Sequence, residues 1–481
     1  MTSASIKQKT INGLKWSFID SFASQGIQFI IGIILARLLE PEKFGLIGML
    51  TIFIAVSQVF IDSGFSQAII RKQDCKQIDL NTVFIFNLVA SILLYFSLFF
   101  SARYVGQFFN QPALCQLLKV LGIVLIINAF GLIQRTLLNK EVNFKLQSKI
   151  SIISSILSGV LSIWMASNGY GVWSLVYKSI SMQLITTLLF WVYNSWRPSL
   201  NFSMKSIREL FQFSSKLLAS SLLDIIYRNV YYLIIGKYFT FTELGYYTRA
   251  NEFQNIPSAN LTQIINRVSY PVISTIQDDP EKIKAVYKKM IKGTMFLSFM
   301  LMFGLAASSK QVILLTIGEK WLPAVEYLQI LCLSGVFYPL HALNLNVLVV
   351  KGHSDIFLKL EVIKKILIIP TIIIGIHYGI KTMLFTMVIN SIIAYFLNSK
   401  ESGKLIGYSS WAQLKDIFPS FIISIIMVAG VLGIGTFQIN TIFLLLLQVS
   451  IGAFIVVLLS LVVKDDSYVL FKEFLIESVR K

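Results

Sequence analysis

Apolar runs of helix length recur along almost the whole chain, separated by short clusters of lysine and arginine. A helix needs about 20 apolar residues to cross a hydrocarbon core of roughly 30 Å. No water reaches a backbone N–H or C=O there, so only helices and closed barrels can span it. Barrel strands would read as alternating segments of about ten residues, and the runs here are longer and not alternating. They predict an all-α polytopic membrane protein with about fourteen transmembrane helices. Spans are expected near residues 14–39, 44–69, 80–102, 113–138, 149–167, 171–194, 210–238, 244–273, 290–308, 322–350, 359–378, 380–397, 416–437 and 439–463.

Composition agrees. The 481 residues are 55% hydrophobic and 14% charged, with a mean hydropathy of +0.72; a soluble chain carries about 25% charged residues. A net charge of +18 could suggest nucleic acid. The cations lie between apolar runs, however, which suits loops beside an anionic cytoplasmic leaflet, so no nucleic-acid partner is expected. Cys75, Cys115 and Cys332 are far apart, and His341, His353 and His377 are scattered. That pattern supports neither a disulfide framework nor a metal site, and no cofactor is expected. The first apolar run, with no cleavage site evident, reads as a retained helix.

Orientation follows from the basic residues. With the N-terminus inside, the inner segments hold 28 Lys and Arg and the outer ones 7, among them Arg37, Lys43, Lys237 and Lys381. That bias sets both termini in the cytoplasm. Each outer loop is short, so no extracellular domain is expected.

The chain repeats weakly at a spacing of about 200. Ile34-Leu35-Ala36-Arg37 followed by Phe44-Gly45 matches Ile235-Gly236-Lys237 followed by Leu244-Gly245. Pro112 and Lys140 correspond less clearly to Pro323 and Lys351. The reading is two pseudo-symmetric six-helix bundles, an N-lobe at 1–200 and a C-lobe at 201–400. Residues 401–481 then hold two extra C-terminal helices and a cytoplasmic tail. An even number of spans per lobe gives both the same orientation, and a carrier binds its substrate where such halves meet.

Charged and polar groups inside a span cost several kcal/mol unless they face a cavity or a partner. Helix 1 carries Ser17, Asp20, Ser21, Ser24, Gln25 and Gln28 on one stripe, and helix 7 carries Ser220, Ser221, Asp224, Arg228, Tyr231 and Tyr232 on another. Asp224 and Arg228 are four apart and are expected to be able to pair. Asp20 has no local cation. Helix 8 is unusually polar, with Arg249, Glu252, Asn255, Gln263 and Arg267 and a bend at Pro257. Gln58, Asp62 and Ser66 line helix 2. Lys178 is an isolated cation near mid-span, whereas Lys119 is close enough to an edge to snorkel. His341 reads as a hydrogen-bonded helix residue, and Trp173, Trp196 and Trp321 as interfacial belt anchors.

Gly13-Leu14-Lys15-Trp16, Ala36-Arg37-Leu38-Leu39-Glu40-Pro41-Glu42-Lys43-Phe44-Gly45 and Asp62-Ser63-Gly64-Phe65 resemble the first hairpin of Wzx-type polysaccharide flippases, in particular the colanic-acid-exporter branch. Asn229-Val230-Tyr231-Tyr232 through Gly236-Lys237 and Leu244-Gly245-Tyr246-Tyr247 continue the resemblance, which covers essentially the whole chain. It implies a member of the superfamily of multidrug, oligosaccharidyl-lipid and polysaccharide exporters. It further implies a flippase, not an enzyme, moving undecaprenyl-diphosphate-linked oligosaccharides across the bacterial inner membrane by alternating access for surface polysaccharide synthesis. Arg228, Arg249, Arg267 and Lys178 are then the candidate diphosphate partners. Asp20, Gln25, Gln28, Asp62, Asp224, Glu252, Asn255 and Gln263 are candidates for sugar contacts or for proton or sodium coupling. The chain is expected to act as a monomer in contact with membrane lipid. A peptidoglycan-precursor flippase is the nearest alternative. A drug–cation antiporter would show acids dominating its spans, and a membrane glycosyltransferase or polymerase would need a sizeable outer loop.

Overall fold

The computed structural model describes residues 23–463 and 467–468, and all regular elements among them are helical. The expected first span is described from Ala23 to Leu38 as α1. It is followed by α2 (Pro41–Asp62), α3 (Phe65–Arg71), α4 (Gln77–Phe108), α5 (Ala113–Leu121), α6 (Ile123–Lys140), α7 (Phe144–Ser167), α8 (Trp173–Tyr193) and α9 (Met204–Tyr238). Then come α10 (Phe241–Thr275), α11 (Pro280–Ala307), α12 (Ser309–Thr316), α13 (Ala324–Gly335) and α14 (Tyr338–Val350). The series ends with α15 (Ser354–Ile366), α16 (Ile368–Tyr378), α17 (Ile380–Ile406), α18 (Ser410–Ile434) and α19 (Thr441–Val463).

Helix is found at each of the fourteen expected spans. Eleven of these helices are long and apolar enough to cross a membrane. The other three are α1, described over only part of its expected run, the polar α10, and the broken pair α15 and α16. Four expected spans are interrupted. Ser63 and Gly64 adopt left-handed backbone (φ 46° and 74°) and separate α2 from α3. Gly122 divides α5 from α6. Pro339 at the start of α14 and Pro370 near the start of α16 explain the other two breaks, since proline cannot supply the N–H that a continuing helix needs.

Contacts divide the chain into two compact units, Met1–Gly245 and Tyr246–Lys481, with the division inside α10. In the first unit α4 packs on α2, α5, α6 and α9, α8 packs on α6 and α7, and α9 packs on α2 and α3. In the second unit α11 packs on α13, α14 and α18, α17 packs on α13 to α16, and α18 packs on α19.

The packing inverts the rule of water-soluble bundles. In α19 the buried residues Leu444, Gln448, Gly452, Val456 and Ser460 are spaced by four, so small and polar groups share the inner face. Phe443, Phe454, Leu461 and Val462 are exposed. Lipid solvates such an outer face, while small residues let backbones approach and polar side chains bond across helices. Gly452 accordingly lies against Val431, and the Gln448 side chain donates to the Val431 carbonyl at 3.1 Å. In α7, Ser151, Ser155 and Gly159 recur at the same spacing; Ser24 of α1 bonds Ser151 (2.8 Å), and Ile31 fills the space over Gly159.

Among the glycines of the first unit, the closest approach to backbone atoms is reciprocal. A Cβ on Gly45 would lie 1.9 Å from the Phe241 carbonyl oxygen, and one on Gly245 would lie 2.0 Å from the Pro41 carbonyl oxygen. The first turns of α2 and α10 therefore cross with only hydrogen atoms between them. Gly45→Ala and Gly245→Ala should each destabilise the purified protein by about 1–3 kcal/mol through overpacking. Gly293 in α11 has nothing within 4 Å of its missing Cβ, so Gly293→Ala should be neutral or stabilising by up to about 1 kcal/mol. Thermal unfolding in detergent checks this: equal behaviour of Gly45→Ala and Gly293→Ala would refute the contact.

Candidate functional site

The polar residues of α10 set it apart from its apolar neighbours. Beyond Gly245 it belongs to the second unit, where polar bonds clamp it onto α14. Asn346 donates to Asn266 Oδ1 (2.9 Å) and to Ser269 Oγ (2.7 Å), and Lys351 donates to the Gln277 carbonyl just past the end of α10 (2.5 Å). Gln254 is buried. It occupies the space a Cβ on Gly335 would need, 1.9 Å from its Nε2, and donates to Ser258 (2.8 Å). Pro257 sits within this polar stretch, where its ring denies the helix one backbone bond.

The candidate charges on α10 are not equivalent. Arg249 is only 6% exposed; its guanidinium is ion-paired with Glu252 one turn along the helix. Asn255 is half-buried, whereas Gln263 and Arg267 are exposed. Arg267 is thus exposed on this unit, while Arg249 is buried and ion-paired with Glu252.

In the first unit Arg228 and Asp224 are both exposed on α9. Among the described residues no ion pair joins them, so the expected pairing is not formed. Lys178 is half-buried. Asp62 has a local role: its Oδ1 accepts from the Ser66 backbone (3.2 Å) and hydroxyl (2.5 Å), bridging the break between α2 and α3. Thr136 of α6 donates to Ser66 in turn (2.9 Å). Gln28 bonds Ser24 (3.5 Å), and Gln25 is exposed. Asp20, Ser17 and Ser21 lie outside the described residues, so the helix 1 stripe is seen only from Ser24 onward.

Cations at the ends of the first-unit helices also have structural partners. Lys140 donates to the Ile69 and Lys72 carbonyls (3.0 and 2.6 Å), closing the end of α3. Lys72 lies 3.1 Å from Asp79 and 3.3 Å from Glu209. Burial alone would lower the Lys72 pKa, but the bonds and charges of Asp79 and Glu209 outweigh it and hold the ammonium above its usual value. Lys119 stacks over Phe99 at 4.6 Å, and His341 bonds Ser391 at 3.1 Å. Trp321, expected in an interfacial belt, is fully buried against Tyr246. It lies in a tight turn before α13, which folds the indole inward. Asn346 escaped the sequence reading; the available signal was the pair Asn344 and Asn346 inside an apolar run.

A bundle of helices with lipid-facing apolar exteriors and polar interiors defines a multi-pass membrane protein, and comparison with known proteins identifies its kind. A family described as "Polysaccharide biosynthesis protein" matches residues 34–326, and the chain belongs to that family. It is 28% identical over 437 residues to the lipopolysaccharide biosynthesis protein WzxC of Escherichia coli (strain K12), covering 87% of this chain and 88% of the relative. It is 27% identical to the teichuronic acid biosynthesis protein TuaB of Bacillus subtilis (strain 168), with 73% of each chain covered. Among solved structures, the inward closed form of the lipid II flippase MurJ superposes with a TM-score of 0.76 at 17% identity, over 95% of this chain and 99% of that one. An inward-facing multidrug transporter of the MATE family gives 0.63 at 15% identity, over 79% and 95%. The fold is thus the one these exporters share, and the family agrees with the Wzx-type resemblance in the sequence.

Breaking the Arg249–Glu252 pair should expose its role. Glu252→Gln leaves a buried guanidinium short of its anion and should cost about 1–2 kcal/mol, below the value for a fully buried pair because Glu252 is partly solvated. Adding Arg249→Met should recover part of that loss in thermal unfolding. Additive losses would show that the two charges act independently.

Proposed function

We propose that the protein is a flippase that carries a lipid-linked oligosaccharide from the cytoplasmic to the outer leaflet of the bacterial inner membrane, for assembly of a surface polysaccharide. One observation carries the reading beside the family: α10 is a 35-residue helix rich in amides and charges within an apolar bundle. Polar groups at membrane depth need a protein partner or a water-filled cavity. Arg267 and Gln263 of α10 are exposed on their unit, which suits a wet surface that handles sugars and phosphate.

The substrate is taken to be an undecaprenyl diphosphate carrying its sugars. The exposed cations Arg228 and Arg267 and the half-buried Lys178 offer charge-assisted bonds to its phosphates. Arg249 joins them only by exchanging Glu252. Gln25, Gln28, Asn255 and Gln263 suit sugar hydroxyls, and Asp20, Asp224 and Glu252 are the coupling candidates. Both termini are assigned to the cytoplasm, and the chain to a monomer that alternates access between two six-helix lobes, 1–200 and 201–400. The reciprocal Gly45 and Gly245 contact, at the 200-residue spacing, supports that repeat. With the inside negative, moving two charges outward is favoured by about 4.6 kcal/mol per 100 mV, so proton or sodium antiport is allowed but not required. Cations at least match acids among the candidates, which favours an anionic substrate over a drug cation. The likeness to MurJ keeps a peptidoglycan precursor as the second reading.

Reconstituted vesicles loaded with lipid-linked oligosaccharide test the role of Arg228. Arg228→Ala removes one charged hydrogen-bond donor, worth about 1.5–3 kcal/mol, and should slow flipping by about 10- to 100-fold at unchanged protein abundance. An unchanged rate removes Arg228 from the mechanism. Imposing an inside-negative potential should speed export in the wild type, and an insensitive rate would remove the membrane potential as the driving term.

A further inference from the structure

The second unit holds a cavity of about 910 Å³ where the ends of α11, α17 and α18 meet. Five lysines line it: Lys284, Lys288, Lys400, Lys404 and Lys415. Their spacing explains the convergence. Lys284 and Lys288 are one turn apart on α11, Lys400 and Lys404 are one turn apart on α17, and Lys415 comes from the first turns of α18. In the sequence these residues count only toward the charge bias of the inner segments.

Acidic residues neutralise part of this charge. Asp416 lies 3.0 Å from Lys288 and 3.8 Å from Lys292, and Lys404 pairs with Glu401 at 2.9 Å. Lys284, Lys400 and Lys415 form no ion pair with any described residue. Three uncompensated ammonium groups around one cavity repel one another, and an anion with several oxygens relieves that repulsion.

The cavity wall is built rather than incidental. Gly403 admits the chain reversal, since a Cβ there would lie 2.6 Å from the Tyr408 carbonyl oxygen, and Gly407 is left-handed at φ 63°. Ser399 bonds Ser410 (2.8 Å), and the Tyr395 hydroxyl donates to the Ser410 carbonyl (2.8 Å). Tyr408 donates to Asp416 (2.6 Å). Burial and the neighbouring carboxylate push its phenol well above the usual value, so it remains a donor. Lys284 Nζ lies against Gly407, 3.9 Å from the position of a Cβ, which aims it into the cavity.

The rim identifies the kind of anion. Trp411 is 75% exposed and packs edge-on to Phe396 with ring centroids 6.3 Å apart. Both residues line the cavity, and exposed Phe418 follows two turns along α18. Exposed aromatics at the ends of apolar spans favour headgroup depth, where lipid phosphates are the anions at hand.

We infer that this cavity is a binding site for the phosphate headgroup of an anionic membrane phospholipid, with the acyl chains running past Trp411 and Phe418. The site would tie the ends of α11, α17 and α18 to the bilayer surface. It is separate from the transported substrate and does not depend on the flippase reading.

The test uses the full chain purified in detergent, with phosphatidylglycerol or phosphatidylcholine added and bound lipid counted by native mass spectrometry. Phosphatidylglycerol should bind at least tenfold more tightly. The triple variant Lys284→Gln, Lys400→Gln, Lys415→Gln should weaken it by roughly fivefold for each lysine removed. Lys289→Gln, Lys310→Gln, Lys359→Gln removes equal charge away from the cavity and should change little. Brominated phosphatidylglycerol should quench part of the tryptophan emission, and Trp411→Phe should remove that part while leaving quenching of the other tryptophans unchanged. Equal retention of both lipids overturns the site, as does equal weakening by both triple variants. Displacement by inorganic phosphate at the same phosphate concentration overturns the lipid assignment in favour of a free anion. Transport is not read, so failure here leaves the flippase proposal standing, and failure of flipping leaves this site standing.

Discussion

The unsatisfied peptide group is the constraint from which this architecture follows. In hydrocarbon every N–H and C=O must be bonded within the protein, so each crossing is a helix. Because lipid already solvates apolar side chains, burying them adds little attraction between helices. Close approach and polar bonds take over: Gly452 against Val431, Ser24 to Ser151, Asn346 to Asn266. The interior is thus richer in serine, glycine and amides than a soluble core, and the exterior of α19 is almost wholly apolar.

That inversion decides which properties were legible in the chain. Apolar length marked eleven of the fourteen expected spans, since length and hydropathy act locally, whereas the polar α10 and the broken pair α15 and α16 fall short of it. The interruptions were less visible. Pro339 and Pro370 explain two of them in retrospect, but proline at the start of a helix and proline within one look alike in sequence, and Pro257 stays inside α10. The break at Ser63 and Gly64 depends on backbone torsions that many Ser-Gly pairs never adopt. Trp321 shows the same limit: its position near a span end suggested an interface, while a tight turn folds it inside.

Charged residues were the harder problem, because a charge in a span announces only that some partner exists. Asp62 found Ser66 within its own break, Lys119 found the face of Phe99, and Arg249 found Glu252. Arg228 and Asp224, at ideal helical spacing, form no ion pair with each other. Spacing states what side chains can reach, whereas neighbouring helices decide what they do reach. The lysines at the ends of α11, α17 and α18 show the converse, since their common cavity joins segments more than a hundred residues apart.

The crossing of α2 and α10 has a consequence for which substitutions the chain tolerates. Gly45 meets the carbonyl of Phe241, and Gly245 meets that of Pro41, so each glycine lies against the carbonyl one helical turn before the other. A side chain added at either position pushes the two first turns apart and opens the space at the other as well. The two sites therefore vary as one, although about 200 residues of chain separate them.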